Sequence, residues 1–348
     1  MEIELPFRTI MKVLATLAVL FILGRLWSLL EILYLATLIA VTLEPLVARL
    51  ERRVPRKVTL GLTAVLMFGG VAAIVLLIGA PLVDQIGALI EKLPEYSKGL
   101  TEFLPDNALM QKMGKKIVSN SANPDPMAFA PHLFTFGQAA LETLSELVLL
   151  LVLSIYLLAD GERAYKWVLA FFPITKRMKI DQTAREVSSV ISAYVAGQAI
   201  SSLACATFVF ILLTLLKVPN ALVVALLAGL MDVIPVLGFI LSIVPAMIFA
   251  LAVSPSASLF VLAGFIAYHI FENYFLVPAV YGNRLRVSTL TVLVSLIAGG
   301  LLAGIPGAIA ILPLIASYPI IERIWLNEYL GANVIKKHAA AAEEHEPA

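Results

Sequence analysis

Between Glu186 and Glu272 the chain carries only two formal charges, Lys217 and Asp232. Apolar sequence on that scale leaves few options. In hydrocarbon every backbone polar group must be paired within the protein, and a helix of roughly 20 residues does this while crossing a bilayer. Yet GLMDVIPVLGFILSIVPAM (229–247), inside this run, holds an aspartate, two prolines and two glycines. A broken helix and a carboxylate therefore sit together where both are costly. Charged residues are 14% of the chain, against roughly a quarter in soluble domains. The chain reads as an all-α polytopic membrane protein with about eight transmembrane spans, including interrupted or re-entrant helices, and a small helical extramembrane insertion.

Apolar runs place spans at about 10–30, 32–50, 58–81, 141–158, 194–216 and 259–277. Two longer regions, 221–253 and 288–321, are interrupted, and each reads as one kinked helix or two half-helices. Five regions follow: 1–81, the first three spans; 82–138, an extracytoplasmic amphipathic insertion; 139–193, the fourth span and a cytoplasmic segment; 194–326, a core with broken helices; and 327–348, a cytoplasmic tail. Lys and Arg set the orientation. RLERRVPRK (49–57) holds five basic residues and one acid, and the segment after the fourth span is basic too, which places both in the cytoplasm together with the N-terminus. The insertion has five Lys, no Arg and six acids over 84–125. Val83, Ile86, Ile90 and Leu93, then Met110, Met113 and Ile117, fall at helical spacing, which predicts short amphipathic helices there. SNSANPDPMAFAP (119–131) reads as a turn-rich connector. With both interrupted regions doubled, GNRLR (282–286) falls on the cytoplasmic side, which the charge rule favours.

Several function classes are excluded or unsupported. No basic, aromatic-interleaved patch suggests nucleic acid. The single cysteine, Cys205, rules out an internal disulfide and reads as a small buried residue. One Cys and four His offer no metal-ligand spacing, and no cofactor is expected. No zincin, nucleophile-elbow, P-loop or dinucleotide motif occurs, so an enzyme reading has no residues behind it. Transport without a P-loop draws on an ion gradient or the solute's own gradient. The N-terminal apolar stretch lacks a small-x-small cleavage site and reads as a retained span.

The two interrupted regions echo one another: GLMDVIP (229–235) and GLLAGIP (300–306) share Gly, Leu, Ile and Pro, each followed by another proline, Pro245 or Pro313. Paired discontinuous helices point to a transporter's binding site. Proline removes a donor and frees a carbonyl four residues back, so the break must face protein or water. The breakers are Gly229, Pro245, Pro278, Gly300, Gly304, Pro306 and Pro313. Asp232, beside Pro235 and Gly238, carries an insertion cost of about 2.5–3.5 kcal/mol at mid-bilayer. It fits a cavity-lining carboxylate; the alternative is a cap on a half-helix. On a helix, His269, Glu272 and Asn273 share a face. That face fits a proton or ion site, or an interfacial belt, which is the reading preferred for His269. Gln198, with Ser201 and Ser202, gives the fifth span a polar face, on which the serines read as packing glue.

SIYLLADGER (154–163), GLMDVIPVLG (229–238), ENYFLVPAVYG (272–282) and GGLLAGIPG followed by Pro313 together resemble the autoinducer-2 exporter family of bacterial and archaeal membrane proteins, also called permease-like. The resemblance implies a secondary transporter or channel-like permease of the cytoplasmic (inner) membrane, homo-oligomeric, with members linked to quorum-sensing signal efflux or to sodium or lithium export against protons. It implies motif roles for Asp232, for Asp160 and Gly161, and for Glu272 and Asn273. The chain departs from the family pattern at Val236 and Phe239, where an aromatic and a proline are usual, and in NRLRVSTLTVL, where many members have a proline.

The expected function is gradient-driven export of a small polar solute such as autoinducer-2, with Asp232, Pro235, Gly238, Gln198, Glu272 and Asn273 around the site. Expected partners are that solute or a monovalent cation, membrane lipid and further copies of the chain. The alternatives are a Na+ or Li+/proton antiporter and, in a different class, a membrane scaffold that binds partners through its outer segment.

Overall fold

The computed structural model describes residues 7–103, 126–234, 237–281 and 289–326. Pro235, Val236, GNRLR, Met110, Met113, Ile117, the first part of the 119–131 connector and the 327–348 tail lie outside the described residues. The elements are helices: α1 (Phe7–Arg25), α2 (Trp27–Glu51), α3 (Arg56–Phe103), α4 (Pro126–Leu169), α5 (Ile174–Leu215), α6 (Ala221–Asp232), α7 (Leu237–Leu251) and α8 (Pro255–Phe271), then a π-helical turn (Glu272–Leu276), α9 (Val277–Tyr281), α10 (Thr289–Ala316), α11 (Tyr318–Ile321) and a second π turn (Glu322–Leu326).

Seven helical stretches among the described residues are long and apolar enough to cross a membrane. One of them, Leu290–Leu326, is not a straight crossing. Ala303 and Gly304 leave helical geometry, with Gly304 at φ 61° and ψ −146°. Beyond them the chain doubles back: a Cβ on Gly307 would lie 2.3 Å from the Gly299 carbonyl oxygen, although residues eight apart on one helix are about 12 Å apart along its axis. The other interrupted region also folds back. α6 and α7 are separated by residues 233–236 and pack along one another. With 12 and 15 residues, each is shorter than the roughly 20 a crossing needs. Both interrupted regions are thus helical hairpins, hairpin 1 (α6–α7) and hairpin 2 (the two arms of α10). The echoed GLMDVIP and GLLAGIP motifs fall at their two turns.

The first part of the insertion forms no separate short helix. α3 continues the third span without a break to Phe103, through Pro81 and Pro94. An isolated proline forfeits one ladder bond and strains one turn, which a helix held on both sides survives. α4 begins at Pro126, inside the expected connector, where a missing N–H costs nothing.

The main core joins α5 to hairpin 1 and α8. Val209 and Leu213 of α5, Val224 and Ala228 of α6, Ala246 and Ala250 of α7, and Val261 and Phe265 of α8 are buried together. Alanines at the facing positions let the hairpin arms approach closely, the packing mode used where lipid is as apolar as the side chains. A second cluster ties hairpin 2 to α5 through Tyr194, Leu296, Ala308 and Leu312. α2 joins by Leu38 against Ile191 and Ala310, and Tyr34 donates to the Ala310 carbonyl at 3.0 Å. The start of α8 is set locally: Ser254 is the N-cap, accepting from the Ala257 N–H at 3.1 Å, with Pro255 following. At the chain's far end Arg323 pairs with Glu186, and Trp325 Nε1 donates to Thr183 at 2.9 Å, fastening the second π turn to α5. α1 buries none of its residues.

Candidate functional site

The site grows from one face of α5. Gln198, Ser201, Ser202 and Cys205 recur at intervals of three and four, which stacks their side chains on one side of the helix. Hairpin 1 lies against that face because Gly229 is there. A Cβ at 229 would come within 2.8 Å of the Ala206 Cβ and 2.9 Å of the Ser202 carbonyl oxygen. One turn further, at the end of α6, half-buried Asp232 meets α5 twice. Ser202 Oγ donates to its carboxylate at 3.1 Å, and Gln198 Nε2 donates to its main-chain carbonyl at 2.9 Å. A helix end leaves carbonyls without intrahelical partners, and Gln198 satisfies one of them.

Gly238 closes the turn. An added Cβ would be 2.2 Å from the Met231 carbonyl oxygen and 2.7 Å from the Asp232 Cα, so the start of α7 sits directly on the end of α6. Gly238 N–H donates to the Ile234 carbonyl at 2.7 Å.

Glu272 reaches the same face of α5 from the other side. Ser201 Oγ, one residue before Ser202, donates to Glu272 Oε1 at 2.5 Å. Glu272 is also where α8 widens into a π turn, and the Val277 N–H bonds back to its carbonyl. Pro278 supplies the reason: its ring would clash with the carbonyl four residues back, Tyr274, which lies in the widened turn. Tyr268 OH donates to the Ser201 carbonyl at 3.4 Å, and its ring stacks on Phe208 with centroids 4.7 Å apart. His269 Nδ1 is 3.6 Å from Glu272 Oε2. Two carboxylates from distant parts of the chain are therefore held by consecutive serines. Among the described residues neither pairs with a Lys or Arg.

The other expected site residues lie elsewhere. Asn273 is exposed and donates to the His269 carbonyl of its own helix at 2.8 Å. Asp160 and Gly161 are in α4, which packs on α2 and α3; beside them Arg56 donates to the Leu158 carbonyl at 2.9 Å. Pro245 lies within α7, and Pro306 and Pro313 within the second arm of hairpin 2. Gly300 has open space around it, and Gly304 makes the turn. A groove of about 420 Å³ separates the two hairpin turns, lined by Ile234, Leu237, Leu241, Gly300, Gly304 and Ile305 among others. It is apolar, and Ile234 carries its wall to within two residues of Asp232. Ser201 and Ser202, which the sequence reading took as packing glue, are the side chains that hold the two acids. Their shared spacing with Gln198 was the available signal. Among the described residues no group of three His, Cys, Asp or Glu side chains is placed to hold a metal ion.

Two hairpins thus pack against one helix whose polar face holds two acids. Residues 10–325 match the model of the AI-2E family transporters. The chain belongs to the AI-2E transporter family. The AI-2E assignment covers both hairpins and every residue of the α5 cluster. Among its relatives, the chain is 25% identical to the "Putative transport protein YueF" of Bacillus subtilis over 82% of its own length and 80% of the relative's. It is 28% identical to the "Putative transport protein YhhT" of Escherichia coli, over 96% and 95% respectively. A second B. subtilis protein, "Putative transport protein YrrI", is 26% identical over 86% and 90%. This AI-2E transporter is therefore similar to these proteins along most of its length.

Proposed function

We propose that this protein exports a small polar solute such as autoinducer-2 across the cytoplasmic membrane, driven by a gradient, with Asp232 and Glu272 as the groups where solute or coupling ion binds. The observation that carries this is the convergence of the two carboxylates on Ser201 and Ser202, beside the turn of a broken helix. An acid inside a membrane is costly and is retained for a use. Two negative charges held side by side favour a shared proton, a small cation, or the hydroxyl donors of a polyhydroxylated solute. The end of α6 supplies one contact, and α5 the other.

The orientation follows from the positive-inside rule. With 49–57 and the basic start of α5 in the cytoplasm, the N-terminus is cytoplasmic and α5 ends outside. Hairpin 1 then enters from the outer side. α8 returns the chain inward, GNRLR is cytoplasmic, and hairpin 2 enters from the inner side, so the groove between their turns lies near mid-membrane. The reading includes a homo-oligomer, in which a second copy covers part of the apolar surface of α1; the mass of the solubilised particle checks this.

A Na+ or Li+/proton antiporter is the second reading, favoured by two carboxylates that meet no Lys or Arg among the described residues. Proteoliposomes separate the two. Counterflow of labelled autoinducer-2 supports the first, and a pH-sensitive dye responding to added Na+ or Li+ supports the second. Silence in both assays, with the protein correctly inserted, refutes export of either class.

A further inference from the structure

His269 stands where three parts of the site meet, and nothing above gives it a task. It lies in α8, one turn before Glu272, with Nδ1 3.6 Å from Glu272 Oε2. That is longer than a hydrogen bond, and Nδ1 is a buried atom without a hydrogen-bond partner among the described residues. Meanwhile the face of the imidazole is covered by the Phe239 ring, with centroids 4.5 Å apart and planes inclined by 25°. Phe239 follows Gly238, which rests on the backbone of Met231 and Asp232. Whatever holds Phe239 therefore holds the end of α6 that carries Asp232.

The imidazole behaves differently in its two charge states. As imidazolium both ring nitrogens are donors, so Nδ1–H gains a charge-assisted bond to Glu272 Oε2. The same positive ring is drawn to the face of Phe239. One contact anchors to α8 and the other to hairpin 1, and a neutral ring weakens both. The other titratable groups gathered here, among the described residues, are Glu272 and Tyr268 from the ring's own stretch of chain, Asp232 from α6 and Cys205 from α5. Of these the carboxylates attract the imidazolium, and the thiol and phenol are ordinarily uncharged near neutral pH.

We propose that His269 is a positioning residue whose protonation clamps the turn of hairpin 1, through Phe239, onto Glu272, and whose deprotonation releases it. The proposal rests on the reading that hairpin 1 carries the transport site, so its first test does not use transport. In full-length protein in lipid nanodiscs, amide hydrogen exchange of the 229–241 segment is compared at about pH 5.5 and about pH 7.5, a window that spans the charge change of an ordinary histidine. Rates are corrected for the intrinsic pH dependence of exchange. The turn is expected to be about tenfold more protected at the lower pH, the factor a contact of cation–π strength supplies. His269→Gln and Phe239→Leu lose the difference; Phe239→Tyr, which keeps an aromatic face, retains it. In proteoliposomes, transport by the unmodified protein slows on acidification over the same window, and His269→Gln gives a flat profile. Equal corrected protection at the two pH values, or a difference that survives in His269→Gln, overturns the clamp. A difference in exchange with no pH dependence of transport upholds the clamp and refutes the assignment of hairpin 1 to the transport step.

Discussion

Replacing Gly238 by alanine tests the geometry of hairpin 1 with a single methyl group. The added Cβ would stand 2.2 Å from the Met231 carbonyl oxygen and 2.7 Å from the Asp232 Cα, whereas ordinary contact begins at 3.4 Å. The turn must therefore open by about an ångström. Both obstructing atoms are backbone, so no rotamer change relieves them. Overpacking of this kind costs about 1–3 kcal/mol, and the upper end applies here because nothing nearby is flexible. About 3 kcal/mol is a shift of more than a hundredfold in the population of the native turn. The displaced Asp232 would draw away from Ser202, now at 3.1 Å. The control is Gly300→Ala in the first arm of hairpin 2, where an added Cβ finds nothing within 4 Å. Vesicle transport and thermal unfolding of the solubilised protein, measured on both variants, give the comparison. Gly238→Ala is expected to lose most transport and unfold at lower temperature, while Gly300→Ala matches the unmodified protein. Equal behaviour of the two variants would refute the tight turn and the placement of Asp232 that depends on it.

Gly304 is at φ 61° and ψ −146°, a region open almost only to glycine, so Gly304→Ala is expected to destabilise hairpin 2 by about 1–3 kcal/mol, read as a lower unfolding temperature. Ser202→Ala removes a hydroxyl bond to a carboxylate worth about 1.5–3 kcal/mol. The half-saturating substrate concentration should rise about tenfold or more, with expression unchanged. Asn273→Ala breaks only a bond within its own exposed helix, so initial transport rates should stay within about twofold of the unmodified protein.

Much of this architecture was legible in the sequence because its signals are local. Long uncharged runs announce helices, and prolines beside glycines announce the breaks. Asp232 and Glu272 stood out because an acid in an apolar run has no cheap explanation, and Gln198 because an amide is conspicuous there. Ser201 and Ser202 did not stand out. A serine in a membrane helix more often bonds its own helix, as Ser154 does with the Leu150 carbonyl, and only the tertiary fold sets two serines before two acids. Whether an interrupted helix kinks or doubles back is also invisible locally. It depends on Gly299 and Gly307 touching across hairpin 2 and on Gly229 meeting α5, contacts between segments that sequence spacing does not relate. Asn273 was named with Glu272, but the structure places it on the exposed side of its helix. Its neighbour Glu272 faces α5, but the next position on a helix points about 100° away. The continuation of α3 past Pro81 was missed because the polar sequence after it was read as a separate run of short helices, although a proline removes only one ladder bond.

The central claim is that Asp232 handles the transported solute or its coupling ion. Asp232→Asn keeps the side chain's size and its ability to accept from Ser202 while removing the charge. The decisive measurement is uptake into everted vesicles, for whichever of autoinducer-2, Na+ or Li+ the unmodified protein moves, with insertion and unfolding temperature checked in parallel. The account predicts that Asp232→Asn inserts and unfolds normally but transports nothing above the background of empty vesicles. Transport at the unmodified rate would contradict it.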